Sequence, residues 1–75
     1  MLRLTSRDNT LVKETIKLKQ KKHRQLTGTF LIEGERMLRE VLKTPELIVR
    51  VFVDEDHQPP QELGDLKIES YQVTT

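Results

Sequence analysis

The side chains that could do chemistry in this chain are mostly cationic, and they lie near its beginning. Four of them recur three or four residues apart: Lys13, Lys17, Lys21 and Arg24. On a helix that advances about 100° per residue, these four side chains fall within roughly 80° of one another, on a single face. A row of positive charges of this kind can neutralise phosphate groups, which gives salt-dependent affinity for nucleic acid without reading its base sequence.

Two polar residues, Arg7 and Asn9, precede this row. Their side chains can donate hydrogen bonds to phosphates or base edges near the start of a helix. For Asn9 a second interpretation has equal weight, because asparagine is among the preferred N-cap residues of helices. The candidate binding residues are therefore Arg7, Asn9, Lys13, Lys17, Lys21 and Arg24.

Groups suited to catalysis or metal binding are scattered. His23 and His57 lie far apart, and the absence of cysteine excludes a disulfide framework and a thiolate zinc site. The glycines are too dispersed for a phosphate-binding glycine-rich motif. Ser6 and Ser70 have no nucleophile signature around them, and the acidic residues 54–56 are explained more simply by a solvated loop. The sequence therefore predicts a binding protein without a metal site or catalytic residues.

Charge is distributed unevenly along the chain, although the net charge is only +1. Residues 1–28 hold eight basic and two acidic residues, a net +6, whereas residues 29–75 hold five basic and ten acidic residues, a net −5. Such asymmetry indicates an anionic partner for the basic part, although a solvated lysine-rich helix explains it about equally well. We divide the chain into a basic helical segment (1–28) and an α/β domain (29–75).

Length, the lengths of the apolar runs and the first ten residues narrow the class of protein. Seventy-five residues make one small domain of marginal stability. No apolar run approaches the roughly 18–20 residues that span a bilayer, so we expect no membrane association. The first ten residues also lack the apolar core of a signal peptide, which favours the cytoplasm.

The pattern of apolar residues predicts the helices and strands that position the basic residues. A helix is predicted from residue 9 or 10 to about 19, with its regular form loosening beyond that point, and a second helix over 35–43. The apolar runs 29–33, 47–53 and 67–73 predict strands, the first of them buried on both faces. Strand, helix and strand over 29–53 form a βαβ unit, which requires a parallel pair and predicts the α/β class.

Four further residues lie in or beside these strands, and the Glu33-Gly34 pair has two interpretations. Glu33 could orient an arginine such as Arg24, or an RNA group, at the end of a parallel strand. We favour a structural role, in which Gly34 permits a tight turn and Glu33 supports the following helix. Phe30 and Phe52 lie inside apolar runs, so both are predicted to pack in the core. The basic segment then has no aromatic side chain for base stacking, which favours backbone or shape recognition.

The order of the motifs resembles a known family. The sequence TSRDN at 5–9 precedes LVK at 11–13, a basic run ends at Arg24, GTFLIEGER follows at 28–36, and VFV at 51–53. This arrangement, which covers nearly the whole chain, resembles the N-terminal substrate-binding domain of the SpoU/TrmH family of RNA 2′-O-ribose methyltransferases, in the SPOUT superfamily.

The resemblance implies a small three-layer α/β/α sandwich with a mostly parallel sheet, similar to kink-turn-binding ribosomal proteins and preceded by a basic helix. It implies structured rRNA or tRNA as the partner, contacted by Arg7, Asn9, Lys13 and Arg24, with Glu33 and Gly34 at the motif's turn. Methyl transfer to a ribose 2′-hydroxyl is implied for a separate C-terminal knotted domain, which binds S-adenosylmethionine and forms a homodimer.

No motif of that catalytic domain occurs in this sequence. We therefore expect the chain to bind no cofactor and to be unable to methylate by itself. Thr74 and Thr75 read as a helix N-cap without a following helix, so we also expect the chain to end before the last elements of the fold. A protein-interaction module, whose basic helix docks on an acidic partner, is the alternative from a different functional class.

Overall fold

A computed structural model describes residues 2–5 and 9–74 of the chain. Short helices and strands alternate along it. They are β1 (Leu2–Thr5), α1 (Thr10–Ile16), a 3₁₀ turn (Lys17–Lys19), α2 (Lys21–Thr27), α3 (Glu35–Val41), a second 3₁₀ turn (Pro45–Leu47), β2 (Val51–Asp54), α4 (Glu62–Asp65) and β3 (Ser70–Thr74).

The strands form one parallel sheet in the order β1-β3-β2. β3 is central, with Tyr71 paired in register with Leu2 on one side and with Phe52 on the other. Parallel strands need long connections that return across the sheet, and the helices occupy those connections. The predicted α/β class with a parallel sheet is confirmed.

β1 was not among the predicted strands. Its sequence, LRLT, alternates apolar and polar residues with the period of a half-buried strand. That alternation was a usable signal, although four residues are too few to separate a strand from an irregular terminus. β2 and β3 overlap the ends of the predicted runs 47–53 and 67–73, and each extends one residue beyond its run. Both strands begin later than predicted, and Leu47 belongs to the second 3₁₀ turn.

The strand predicted over residues 29–33 is wrong. These residues lie outside helices and strands, and Phe30 is 73% exposed rather than packed in the core. Both edges of the central strand are taken by β1 and β2. The predicted βαβ unit therefore does not form from residue 29, and β2 finds its parallel neighbour in β3 instead. Local β propensity cannot reveal this competition, because pairing depends on distant residues.

The core lies against one face of β2. Val51 and Val53 are buried there with Leu42, which ends α3, and Leu63 of α4. Leu38, Ile48 and Ile68 are partly buried against this cluster. Alternation along the strand turns Phe52 to the other face, where its half-buried ring stacks on Tyr71 with centroids 5.7 Å apart.

Truncation of Leu63 should destabilise the fold most clearly, because this side chain is only 3% exposed. We expect Leu63→Ala to lower the free energy of unfolding by about 2–3 kcal/mol, through lost burial and a residual cavity. The matched control is Leu66→Ala, three residues away and 40% exposed, which should cost about 0.5 kcal/mol or less. Urea denaturation followed by circular dichroism measures both, and equal losses would contradict the assigned core.

Two ion pairs should make stability depend on pH. Arg50 Nε donates to Glu69 Oε2 at 2.7 Å, and this hydrogen bond lowers the pKa of Glu69. Arg39 Nη2 donates to Glu35 Oε1 at 2.8 Å and lowers the pKa of Glu35 in the same way. A lowered folded-state pKa contributes stability that is present above the ordinary glutamate pKa of about 4.3 and is lost as the pH falls through the lowered value.

We therefore expect the urea midpoint to fall as the pH is lowered from about 5 toward 3. Glu35→Gln with Glu69→Gln should flatten this dependence, because neither side chain then titrates. Glu46→Gln, at an exposed glutamate of the second 3₁₀ turn, is the control. An equally steep acid dependence in the double variant would show that these ion pairs do not produce it.

Candidate nucleic-acid interface

The basic segment is two helices rather than one. Gln20 adopts an extended conformation (φ −93°, ψ 131°) between the first 3₁₀ turn and α2. The regular α-helix ends at Ile16, earlier than predicted, and a new regular helix begins at Lys21 after the break at Gln20. The single cationic face requires one uninterrupted helix, so it is not confirmed. Lys13 and Lys17 belong to α1 and its 3₁₀ extension, whereas Lys21 and Arg24 belong to α2.

Asn9 begins α1. Its Oδ1 atom accepts hydrogen bonds from the backbone N–H groups of Leu11 at 2.8 Å and Val12 at 3.3 Å. This is the N-cap interaction that the sequence offered as one of two roles. The Nδ2 amino group is chemically separate from this interaction and is the part of the side chain that could donate to RNA.

Arg24 holds the two helices together. Its Nη1 atom donates to the backbone carbonyls of Leu18 at 3.1 Å and Lys19 at 3.0 Å. These carbonyls end the first 3₁₀ turn, where a cation is favourable. The half-buried guanidinium still carries N–H donors on Nε and Nη2 that these two bonds do not use. Arg24 therefore positions the helices and keeps its charge at their junction.

The three candidate lysines are exposed. Lys17 pairs with Glu14 at 3.1 Å, a surface ion pair three residues apart, and Lys13 and Lys21 project from α1 and α2. Exposed pairs contribute little to stability, so a phosphate can compete for such a lysine. Arg7 lies outside the described residues, and its contact with nucleic acid stays a prediction.

Glu33 pairs with Lys19 at 3.7 Å rather than with Arg24. This contact links the first 3₁₀ turn to the irregular segment before α3. Gly34 has φ 104° and ψ 146° and caps α3, and residues with a side chain are strained at such a positive φ. The turn that the sequence assigned to Gly34 is therefore present.

The aromatic side chain that sequence reasoning missed is Phe30. It lines two open surface cavities of about 450 and 510 Å³, and Arg24 lines both as well. The apolar run 29–33 predicted a buried strand that contains Phe30. No feature of the sequence indicated that this ring lies beside basic side chains.

Lys21 and Arg24 line the cavity of about 450 Å³, and Lys19, Arg24 and Glu33 line the cavity of about 510 Å³. Within residues 2–5 and 9–74, no group of three or more His, Asp or Glu side chains is placed to hold a metal ion. In the same part of the chain, no helix has the length and apolar character to cross a bilayer.

Comparisons with known proteins place the chain in a family. A family model described as the MRM3-like substrate binding domain matches residues 9–75. The chain is also 40% identical over 63 residues to the 23S rRNA (guanosine(2553)-2′-O)-methyltransferase RlmP of Bacillus subtilis (strain 168). That alignment covers 84% of this chain but only 25% of the relative. No solved structure shows significant similarity to the chain.

The chain thus spans about a quarter of the length of this relative. The family match covers both basic helices and continues through β3. The resemblance inferred from the motifs at 5–13 and 28–36 is confirmed by these two findings. The chain belongs to the family of MRM3-like substrate-binding domains.

Proposed function

We propose that this domain binds structured RNA, most specifically rRNA, as the substrate of a 2′-O-ribose methyltransferase. The observation that carries the proposal is that α1, its 3₁₀ extension and α2 hold the basic residues Lys13, Lys17, Lys21 and Arg24, whose side chains are here called the basic surface. It concentrates positive charge on two short helices of a chain whose net charge is +1. Family membership and the rRNA substrate in the name of the relative support the choice of RNA over other polyanions.

The basic surface acts through phosphates in this proposal. The lysines are exposed point charges, and Arg24 adds directed N–H donors at the helix junction. Such contacts fix the position of the RNA without selecting its sequence. Arg7 and the Asn9 amide add hydrogen bonds at the start of α1. Glu33 and Gly34 set the turn that leads into α3 and touch no RNA.

Methyl transfer belongs to another part of the parent protein. We assign it to a C-terminal SPOUT domain of the TrmH type that binds S-adenosylmethionine and transfers its methyl group to a ribose 2′-hydroxyl. The parent acts as a homodimer in the cytoplasm. The chain itself contributes RNA binding.

Affinity for RNA should fall steeply with salt. Four phosphate contacts give a slope of log K against log salt of roughly −3, and hence a loss of about 50- to 150-fold between about 50 and 200 mM salt. Lys13→Ala and Lys21→Ala should each make the slope shallower by about 1. Fluorescence anisotropy of the whole chain with a labelled RNA hairpin measures both quantities.

The control is Lys43→Ala, at an exposed lysine beyond α3 that pairs with Glu40 at 3.2 Å. This variant removes the same charge outside the basic surface and should leave the slope unchanged. Salt-independent affinity, or equal effects of all three variants, would contradict the proposal. Shifts of Lys13 and Arg24 NMR resonances with an acidic protein but not with RNA would favour a protein-docking module.

Asn9 can be tested separately, because its two roles use different atoms. Asn9→Ser retains an oxygen that accepts from the α1 backbone but removes the amide donor. We expect weaker RNA binding with little change in stability, whereas Asn9→Ala should also lose about 1 kcal/mol of stability. Urea denaturation and anisotropy report the two effects. Native RNA affinity in Asn9→Ser would restrict Asn9 to capping.

A further inference from the structure

Phe30 is an exposed aromatic ring beside the basic surface. Its residue is 73% exposed, and comparable exposure is found at the apolar residues Leu26 and Leu47, which are each 71% exposed. It is also the aromatic residue nearest in sequence to the two basic helices, since Phe52 and Tyr71 stack on each other in the sheet. The exposed ring is therefore accessible to a ligand with a flat apolar face.

The end of α2 holds the backbone before this ring in a defined path. Gly28 caps the helix in the left-handed conformation, with φ 69°, and its N–H donates to the carbonyl of Arg24 at 2.9 Å. Thr27 donates its hydroxyl hydrogen to the carbonyl of His23 at 2.8 Å. The Thr29 hydroxyl must then be the donor in the 2.8 Å bond between the two threonines.

Basic side chains lie around the ring. The cavity of about 450 Å³ is lined by Phe30 together with Lys21, Arg24 and Gln25. The cavity of about 510 Å³ is lined by Phe30 together with Lys19, Arg24 and the acidic Glu33, which pairs with Lys19. An aromatic ring bordered by an arginine and lysines combines the two chemistries that hold a nucleotide, base stacking and phosphate neutralisation.

We propose that Phe30 stacks on an unpaired nucleobase of the substrate RNA, while Lys21 and Arg24 hold the phosphates next to that base. This inference rests on the proposed RNA-binding function and specifies the form of the RNA. Bases inside a duplex already have both faces stacked, whereas loops, bulges and ends offer free faces. The site therefore selects RNA with a single-stranded nucleotide beside a structured element. The Gln25 amide, which lines the same cavity, offers a donor and an acceptor to the base edge.

The first experiment compares two labelled RNAs, a hairpin with a single-stranded 3′ overhang and a blunt-ended duplex. Phe30→Leu should weaken binding of the overhang RNA by about 5- to 100-fold, because stacking is lost while apolar character is retained. Binding of the blunt duplex should not change. Phe30→Tyr should keep native affinity for both RNAs. The matched control is Leu26→Ala, at a 71% exposed apolar residue of α2, which should bind both RNAs normally.

The second experiment reads the stacking directly and does not depend on affinity. The chain has no tryptophan, so Phe30→Trp creates a single reporter in an aromatic position. A single-stranded oligonucleotide of uridines should quench its fluorescence strongly. The same oligonucleotide should have little effect on Leu47→Trp, at a position that is 71% exposed in the second 3₁₀ turn.

The outcomes separate this inference from the proposed function. Stacking would be overturned if both RNAs bound with salt dependence, if Phe30→Leu left that binding unchanged, and if the Phe30→Trp variant showed no selective quenching. The RNA-binding function would remain in place. No binding of either RNA would overturn both. Selective loss of the overhang RNA together with selective quenching would establish Phe30 as a base-stacking residue.

Discussion

The fold depends on the backbone hydrogen bonds of β3, which joins β1 and β2 into one sheet. Because all of these strands are parallel, the chain must return across the sheet between them. The crossover connection from β1 to β2 contains α1, α2 and α3, and the connection from β2 to β3 contains α4. The basic helices therefore lie in a crossover connection at the surface, where charged side chains remain solvated and accessible to a polyanion.

The small core explains why so much apolar surface remains exposed. Val51, Val53, Leu42 and Leu63 form the buried cluster against the sheet, and a domain of this size cannot enclose many more side chains. Phe30 is among those left outside. The exposure of this ring next to cationic side chains is the basis of the proposed base stacking. The same limit on burial makes the stability sensitive to single core truncations.

Part of the candidate site could be read from the chain and part could not. Asn9 was identified as a cap or an RNA contact because its type and position permit both, and the capping bond is present. The charge asymmetry follows directly from the numbers of basic and acidic residues in the two parts of the chain. The continuous cationic face required a straight helix, and the extended backbone at Gln20 divides it. The environment of Phe30 depends on which segments pair with β3, and hydrophobicity within residues 29–33 contains no information about that pairing.

The sequence by itself determined the α/β class, the approximate positions of α1, α3, β2 and β3, the separation of charge and the family. These features follow from local periodicity, capping residues and motif order, which act over a few residues along the chain. Only the tertiary structure decided that β1 completes the sheet, that residues 29–33 stay outside it, and that Arg24 and Phe30 line the same cavities. Segments compete for the two edges of β3, and that competition is settled by contacts between residues far apart in sequence.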